Sequence, residues 1–180
     1  YCSEAYAYVS GIVARARGNV TLENCINNAA VSAYARGCAG VGGIIGGYDD
    51  AVEYKYENIR LVLENCVNNG VIMVTGEDTK AFAGGIVGSN QNCVQLISCE
   101  NNGDIYAGGV WVGGLLGQAG YKTGDFEPSI YSCLSTGALF GAPGKTNRLY
   151  GKGTIREENI VDSGAKVIEY NCRFGDPETQ

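Results

Sequence analysis

The sequence predicts an all-β fold, a right-handed parallel β-helix of about four coils with atypical terminal caps, and three observations predict it. One short phrase is written four times, as "NCINNAA" at Asn24, "NCVNNGV" at Asn65, "SCENNGD" at Ser98 and "SCLSTGA" at Ser132. A glycine phrase precedes each copy: "SGIVA" at Ser10, "GGIIG" at Gly42, "GGIVG" at Gly84 and "GGLLG" at Gly113. Cys25, Cys66, Cys99 and Cys133 follow one another at 41, 33 and 34 residues, inside the range of about 20 to 45 residues that solenoid repeats occupy.

The elements follow in order. Within each copy the apolar stretches are short, β-branched and bounded by Gly, Asn or Ser, which favours short strands over helices. Three strands per unit are expected: one on the Ile-Val pair of the glycine phrase, one running into the cysteine, and one after the Asn-Asn-Gly turn. That turn is where Asn and Gly tolerate the left-handed backbone of a sharp bend. Stacked coils pair every strand in parallel with its copies about 4.8 Å above and below, and crossover connections of this kind are right-handed.

Stacking makes columns. Leu22, Leu63, Leu96 and Ile130 form one aliphatic column, and Val31, Ile72, Ile105 and Leu139 a second. Cys25, Cys66, Cys99 and Cys133 stand between small polar residues, where cysteine acts as a compact buried hydrophobe. Beside them Asn27, Asn68 and Asn101 can form a side-chain ladder. Disulfides between adjacent rungs are the alternative, although parallel side chains need not meet the bond's torsion. Metal binding fits less well, with no C-x-x-C pair and no histidine. Cys2, Cys38, Cys93 and Cys172 lie outside the column, and spacing assigns them no pairing.

Two units are minimal and two carry insertions at the same point, "GYDDAVEYKYENIRL" from Gly47 to Leu61 and "QAGYKTGDFEPSI" from Gln118 to Ile130. The organisation expected is a terminal cap or cut repeat over 1–9, repeats over 10–147 and a second cap over 148–180, with "EYNC" at Glu169 a degraded trace of the unit. The chain opens at Tyr1 without a leader pattern, which reads as an excised piece or mature form, one segment of a larger chain.

The stretch "AGGIVGSNQNCVQLISCENNGDI", Ala83 to Ile105, resembles the GLUG repeat of bacterial surface proteins. Gly84, Gly85, Ile86, Gly88, Leu96, Ser98, Gly103 and Ile105 carry the likeness, which extends over four units from Ser10 to Leu139. The first unit departs from it at Ser10, Ala14 and Ala29. The resemblance implies a secreted or wall-attached bacterial protein, a class that includes the amino-terminal regions of zinc peptidases that cleave IgA. It brings no catalytic residues, because the motif is a folding unit.

Composition narrows the chemistry. The 180 residues contain no histidine, which removes Ser-His and Cys-His pairs and the H-E-x-x-H zinc site. A net charge of −6 withholds the phosphate-neutralising attraction that nucleic-acid affinity needs. The longest apolar run, Ala107 to Gly117, is far short of the roughly 20 residues of a membrane-crossing helix. "GVGGIIG" at Gly40 does not fit the dinucleotide pattern, and no calcium-loop pattern occurs. Asp49-Asp50 and Glu157-Glu158 are adjacent carboxylates of the kind polysaccharide hydrolases use, yet acids do not recur in matched columns, and loop pairs of this sort are ordinarily solvated.

Rigid scaffolds place function on excursions from their regular units. The candidate ligand-binding residues are Tyr48, Asp49, Asp50, Tyr54 and Tyr56 in the first insertion and Tyr121 and Phe126 in the second, since aromatics among polar groups suit protein or glycan contacts. Their packing back onto the solenoid is the plain alternative, and Trp111 between two valines is expected to pack under a strand or loop.

The function expected is a non-catalytic module without cofactor or metal, at the bacterial cell surface or secreted. It serves as stalk or adhesive surface toward host or bacterial proteins or glycans, with no nucleic acid and no membrane insertion. An accessory substrate-positioning domain of a larger secreted peptidase and a polysaccharide-processing β-helix are the alternatives.

Overall fold

The computed structural model describes residues 7–34, 39–48, 59–75 and 81–163. In the first coil the chain runs through β1 (Ala7–Ser10), β2 (Val13–Ala16), β3 (Val20–Glu23), β4 (Ile26–Asn27) and β5 (Val31–Tyr34). The second coil repeats the series as β6 (Ala39–Gly42), β7 (Ile45–Tyr48), β8 (Arg60–Glu64), β9 (Val67–Asn68) and β10 (Ile72–Thr75). The third is β11 (Phe82–Gly84), β12 (Val87–Asn90), β13 (Cys93–Ile97), β14 (Glu100–Asn101) and β15 (Ile105–Ala107). The fourth is β16 (Trp111–Gly113), β17 (Leu116–Gln118), β18 (Ser129–Tyr131), β19 (Leu134–Ser135) and β20 (Leu139–Gly141). Then come β21 (Thr146–Asn147), β22 (Tyr150–Lys152) and β23 (Ile160–Val161).

Every pairing among these strands is parallel and joins one coil to the next. Five sheets result: A (β1-β6-β11-β16-β21), B (β2-β7-β12-β17-β22), C (β3-β8-β13-β18-β23), D (β4-β9-β14-β19) and E (β5-β10-β15-β20). The fold is an all-β parallel solenoid, as the repeats predict, but with five strands per unit rather than three. The glycine phrase is not one strand. It is the bend between sheets A and B.

That bend explains the glycines. Sheets packed through side chains lie about 10 Å apart, whereas A and B meet backbone to backbone. A Cβ on Gly88 would lie 2.4 Å from the Val41 nitrogen and one on Gly117 2.8 Å from the Ala83 nitrogen, distances only a bare backbone allows. The A/B double layer therefore stands inside the coil and divides the core. On one side Ile45, Val87 and Leu116 of sheet B pack against Leu63, Leu96 and Ile130 of sheet C and the cysteines. On the other, Val41, Ala83 and Val112 of sheet A pack against Val31, Ile72 and Ile105 of the last sheet.

The tip of the double layer presses on sheet D. A Cβ on Gly11, Gly43 or Gly85 would fall 2.3 Å from the side-chain Cγ of Asn27, Asn68 or Asn101. The buried asparagines fill the space the glycines leave. Asn27 Nδ2 donates to Asn68 Oδ1 at 2.8 Å and Asn68 Nδ2 to Asn101 Oδ1 at 2.8 Å. The same Nδ2 atoms also donate within their own turns, to the carbonyls of Ala29, Gly70 and Gly103. In the fourth coil the column residue is Ser135, too short for that bond, and Arg148 of the following coil donates to the Gly137 carbonyl at 3.0 Å instead.

The left-handed backbone falls elsewhere than the turn after the asparagines. It is at the residue before each cysteine: Asn24, Asn65, Ser98 and Ser132 have φ between 50° and 54°, a region Asn tolerates better than most side chains. The turn glycines are required for another reason, since a Cβ on Gly103 would sit 2.0 Å from the Gly70 oxygen and one on Gly137 2.0 Å from the Gly103 oxygen. Ala29 occupies that column in the first coil, where the described residues place no carbonyl beneath it.

The solenoid extends beyond the expected limits at both ends. Ala7, Tyr8 and Val9 belong to β1, paired with β6. At the other end "NRLYG", Asn147–Gly151, takes the place of the glycine phrase, with Gly113 paired to Asn147 and Leu116 to Tyr150. Ile160 continues the aliphatic column, Asp162 is left-handed at φ 47°, and Ser163 Oγ accepts from the Cys133 amide at 3.1 Å. A degenerate fifth unit thus spans 147–163, and "EYNC" lies outside the described residues.

Two substitution pairs test this packing. Asn68→Ala takes the donor from the buried Asn101 Oδ1 and both side-chain bonds from the Gly70 turn and should cost about 3 kcal/mol in urea unfolding, while Asn69→Ala, in the exposed ladder alongside, should stay within about 0.5 kcal/mol. Gly85→Ala drives a methyl to 2.2 Å from the Gly114 oxygen and should cost about 3 kcal/mol. Gly108→Ala, with nothing within 4 Å, should be neutral within about 0.5 kcal/mol. Equal costs within either pair would refute the assignment.

Candidate functional site

The cysteine column is interior. Cys66, Cys99 and Cys133 are buried and Cys25, on the first coil, is half-buried; all four carry free thiols, as does buried Cys93. Each thiol donates to the carbonyl two residues earlier, at 3.6 Å for Cys25 to Glu23, 3.4 Å for Cys66 to Glu64, 3.4 Å for Cys99 to Ile97 and 3.1 Å for Cys133 to Tyr131. Ser163 makes the same bond to Val161 at 2.9 Å, so the column accepts serine where a hydroxyl can take the thiol's place. The thiols are fillers with a weak donor. Along the row each leans on the next: contact with the Cys99 thiol, then burial, pushes Cys66 far up, and the Cys133 thiol pushes Cys99 to about 12. The same contact draws Cys133, the accepting member, below the usual thiol value.

The corner between sheets B and C is where the coils differ. Coil three crosses it through Gln91 and Asn92 alone, whereas coil two runs from Tyr48 to Arg60 and coil four from Gln118 to Ser129. Asp49, Asp50, Tyr54 and Tyr56 lie outside the described residues. Tyr48 belongs to the core rather than the insertion: it ends β7, is fully buried, and its hydroxyl donates to the Gly18 carbonyl at 2.6 Å. It braces the corner of the first coil and offers no binding surface.

Tyr121 and Phe126 are where the insertion predicts them. The loop between β17 and β18 closes on a two-residue turn, with Thr123 and Phe126 exchanging backbone bonds at 3.0 and 2.9 Å and Gly124 at φ 56°, the left-handed first position such a turn favours. Thr123 Oγ1 donates to the Ile59 carbonyl and ties the loop to β8. Tyr121 is 61% exposed. Phe126 lies under the Arg60 guanidinium, 4.2 Å from the ring centroid, and Arg60 also donates to Gln95 Oε1 at 3.2 Å. Phe126 therefore packs back on the solenoid, lining a recess of about 290 Å³ with Asn19, Thr21 and Arg60.

A larger cleft of about 340 Å³ opens between the Tyr121 loop and the fifth coil, lined by Tyr121, Lys122, Glu127, Ile155, Arg156 and Asn159 among others. Glu127 is its polar centre: Asn159 Nδ2 donates to Oε2 at 3.1 Å, and Lys122 Nζ and Arg156 lie 3.3 and 3.4 Å from Oε1. The Asn159 bond first, then the two cations, hold its carboxyl below the usual range. Sequence pattern singles out the aromatics alone here. Lys122 and Glu127 stand in the same quoted insertion, but Arg156 and Asn159 belong to the fifth unit, whose glycine phrase and cysteine are both replaced.

A second surface went unread in the sequence. Ser32, Met73, Tyr106 and Phe140 form one outward column of sheet E, and Tyr34, Met73, Tyr106 and Phe140 are exposed. The Tyr106 and Phe140 rings stack at 4.5 Å with 4° between their planes, so they turn edges to solvent. The signal was the position next to the second aliphatic column. Trp111 is half-buried at the edge of sheet A with the Lys152 ammonium 5.8 Å from its ring.

Among the described residues no cluster of three or more Cys, Asp or Glu is placed to hold a metal ion, and no helix is long and apolar enough to cross a membrane. Fold and site together define a parallel β-solenoid with an insertion-built cleft at one corner. No protein-family model matches the chain, and no curated protein and no solved structure matches it.

Cys93 offers a direct check on this side of the molecule. Burial first pushes its thiol from 9.0 to about 11, partly offset by the Arg60 guanidinium. The folded chain keeps a proton that the unfolded chain releases, so this contribution is whole below pH 9.0 and fades as pH rises through about 11. Urea midpoints measured over that interval should fall, and fall less steeply in Cys93→Ala.

Proposed function

We propose that this chain is a non-catalytic β-solenoid module of a secreted or wall-attached bacterial surface protein, serving as a stalk and as an adhesive surface toward host or bacterial proteins or glycans. The observation that supports this reading is the placing of both long excursions at the corner between sheets B and C, in coils two and four. Stacked rungs bring their points of departure within about 10 Å of each other on one side of the rod. Side chains facing inward are held to a few shapes by stacking, while the B–C corner changes freely from coil to coil. That division suits a protein whose frame is generic and whose contact surface is particular.

The resemblance of the glycine and cysteine phrases to GLUG repeats supports the bacterial surface setting, and the net charge of −6 disfavours a nucleic-acid partner. The test is an array of extracellular host proteins and glycans probed with the intact chain. Binding is expected, with loss of at least half the signal in Tyr121→Ala and the far-ultraviolet circular dichroism unchanged. New reducing or unsaturated ends on incubation with acidic or neutral polysaccharides would instead make the chain an enzyme.

A further inference from the structure

Resting on that reading, we propose that the cleft between the Tyr121 loop and the fifth coil is a saccharide site, which takes one uncharged hexose ring of a surface glycan. Its volume of about 340 Å³ lies at the small end of the roughly 300–1,000 Å³ typical of ligand pockets. That is room for a single ring rather than for an extended peptide.

The walls are of two kinds. Tyr121 is exposed, and Pro128 and Ile155, both buried, add apolar atoms to the lining. In the same cleft Glu127, Lys122, Arg156 and Asn159 bring a carboxylate, an ammonium, a guanidinium and an amide together around one point. A pyranose has the same division, a face of C–H groups and a rim of hydroxyls that each donate and accept. The carboxylate accepts from hydroxyls and the cations donate to them, and charge-assisted bonds of this type are the stronger ones.

Charge selects against ionic ligands. Lys122 and Arg156 face Glu127, and Arg156 also lies 3.8 Å from Glu158, so two cations meet two carboxylates. No surplus charge remains to draw in a phosphate or a uronate, and the Glu127 carboxylate at the centre repels both. The loop is also seated on the frame. A Cβ on Gly120, at φ 81°, would fall 2.0 Å from the Asn92 oxygen, and the Tyr121 amide donates to that oxygen at 3.2 Å, so the chain entering the loop lies directly against coil three.

Saturation-transfer nuclear magnetic resonance on the intact chain tests this, with glucose, galactose, mannose and N-acetylglucosamine as probes and glucuronate and inorganic phosphate as charged comparators. Transfer to the ring protons of at least one uncharged sugar is expected. Tyr121→Ala and Glu127→Gln should each weaken it about tenfold in Kd, roughly 1.4 kcal/mol, while Glu100→Ala, at an exposed position of sheet D, leaves it unchanged. Thermal midpoints of all variants should match the parent. Transfer to none of the four sugars, transfer that survives both substitutions, or transfer confined to glucuronate overturns the proposal. A chain that binds a host protein on the array yet takes up no hexose sinks the saccharide site and leaves the adhesive module standing.

Discussion

The dimension that governs this molecule is the rise from one coil to the next, about 4.8 Å in a parallel ladder. Whatever points along the stack must fit that distance. Hence the turn glycines, whose missing Cβ would otherwise strike the carbonyl below, and hence the asparagines, whose amides span the gap at 2.8 Å. The cysteine column obeys the same rule with a smaller group. Hydrophobic burial supplies the driving force on either side of the A/B double layer, but stacking decides which side chains are admissible.

The double layer is the less usual part. A wide coil of this size would leave a broad interior to be filled with large residues, and the chain instead folds two strands into the middle whose facing sides are glycine. Both apolar compartments become narrow enough for Val, Ile, Leu and Cys to close. The buried asparagines sit where the tip of the double layer meets sheet D, and their amide bonds satisfy groups that no apolar neighbour could. One line of glycines and one line of asparagines are thus halves of a single contact.

Much of this could be read from the residues. Columns of aliphatics, the asparagine ladder and the interior cysteines follow from spacing, because inward positions repeat chemically. The double layer could not, since a glycine permitting close approach and a glycine permitting a left-handed turn look alike in a sequence; the positive φ that recurs in the first four units is at Asn24, Asn65, Ser98 and Ser132. The fifth unit was hidden by its replacements, Arg148 for glycine and Ser163 for cysteine. The site was half legible. Tyr121 stood out as an aromatic in an insertion, whereas its charged partners come from two units brought together only by the turn of the coil, and Tyr48 was drawn into the core by a hydroxyl that reaches Gly18.

The asparagine amides all point the same way, nitrogen of one coil toward oxygen of the next, until Ser135, too short for the bond, ends the row. The rod consequently has a direction, and a whole coil can be duplicated or excised between any two others without disturbing its cross-section. Reach becomes adjustable in discrete steps, and natural variation in length should arrive as entire windings, never fractions of one.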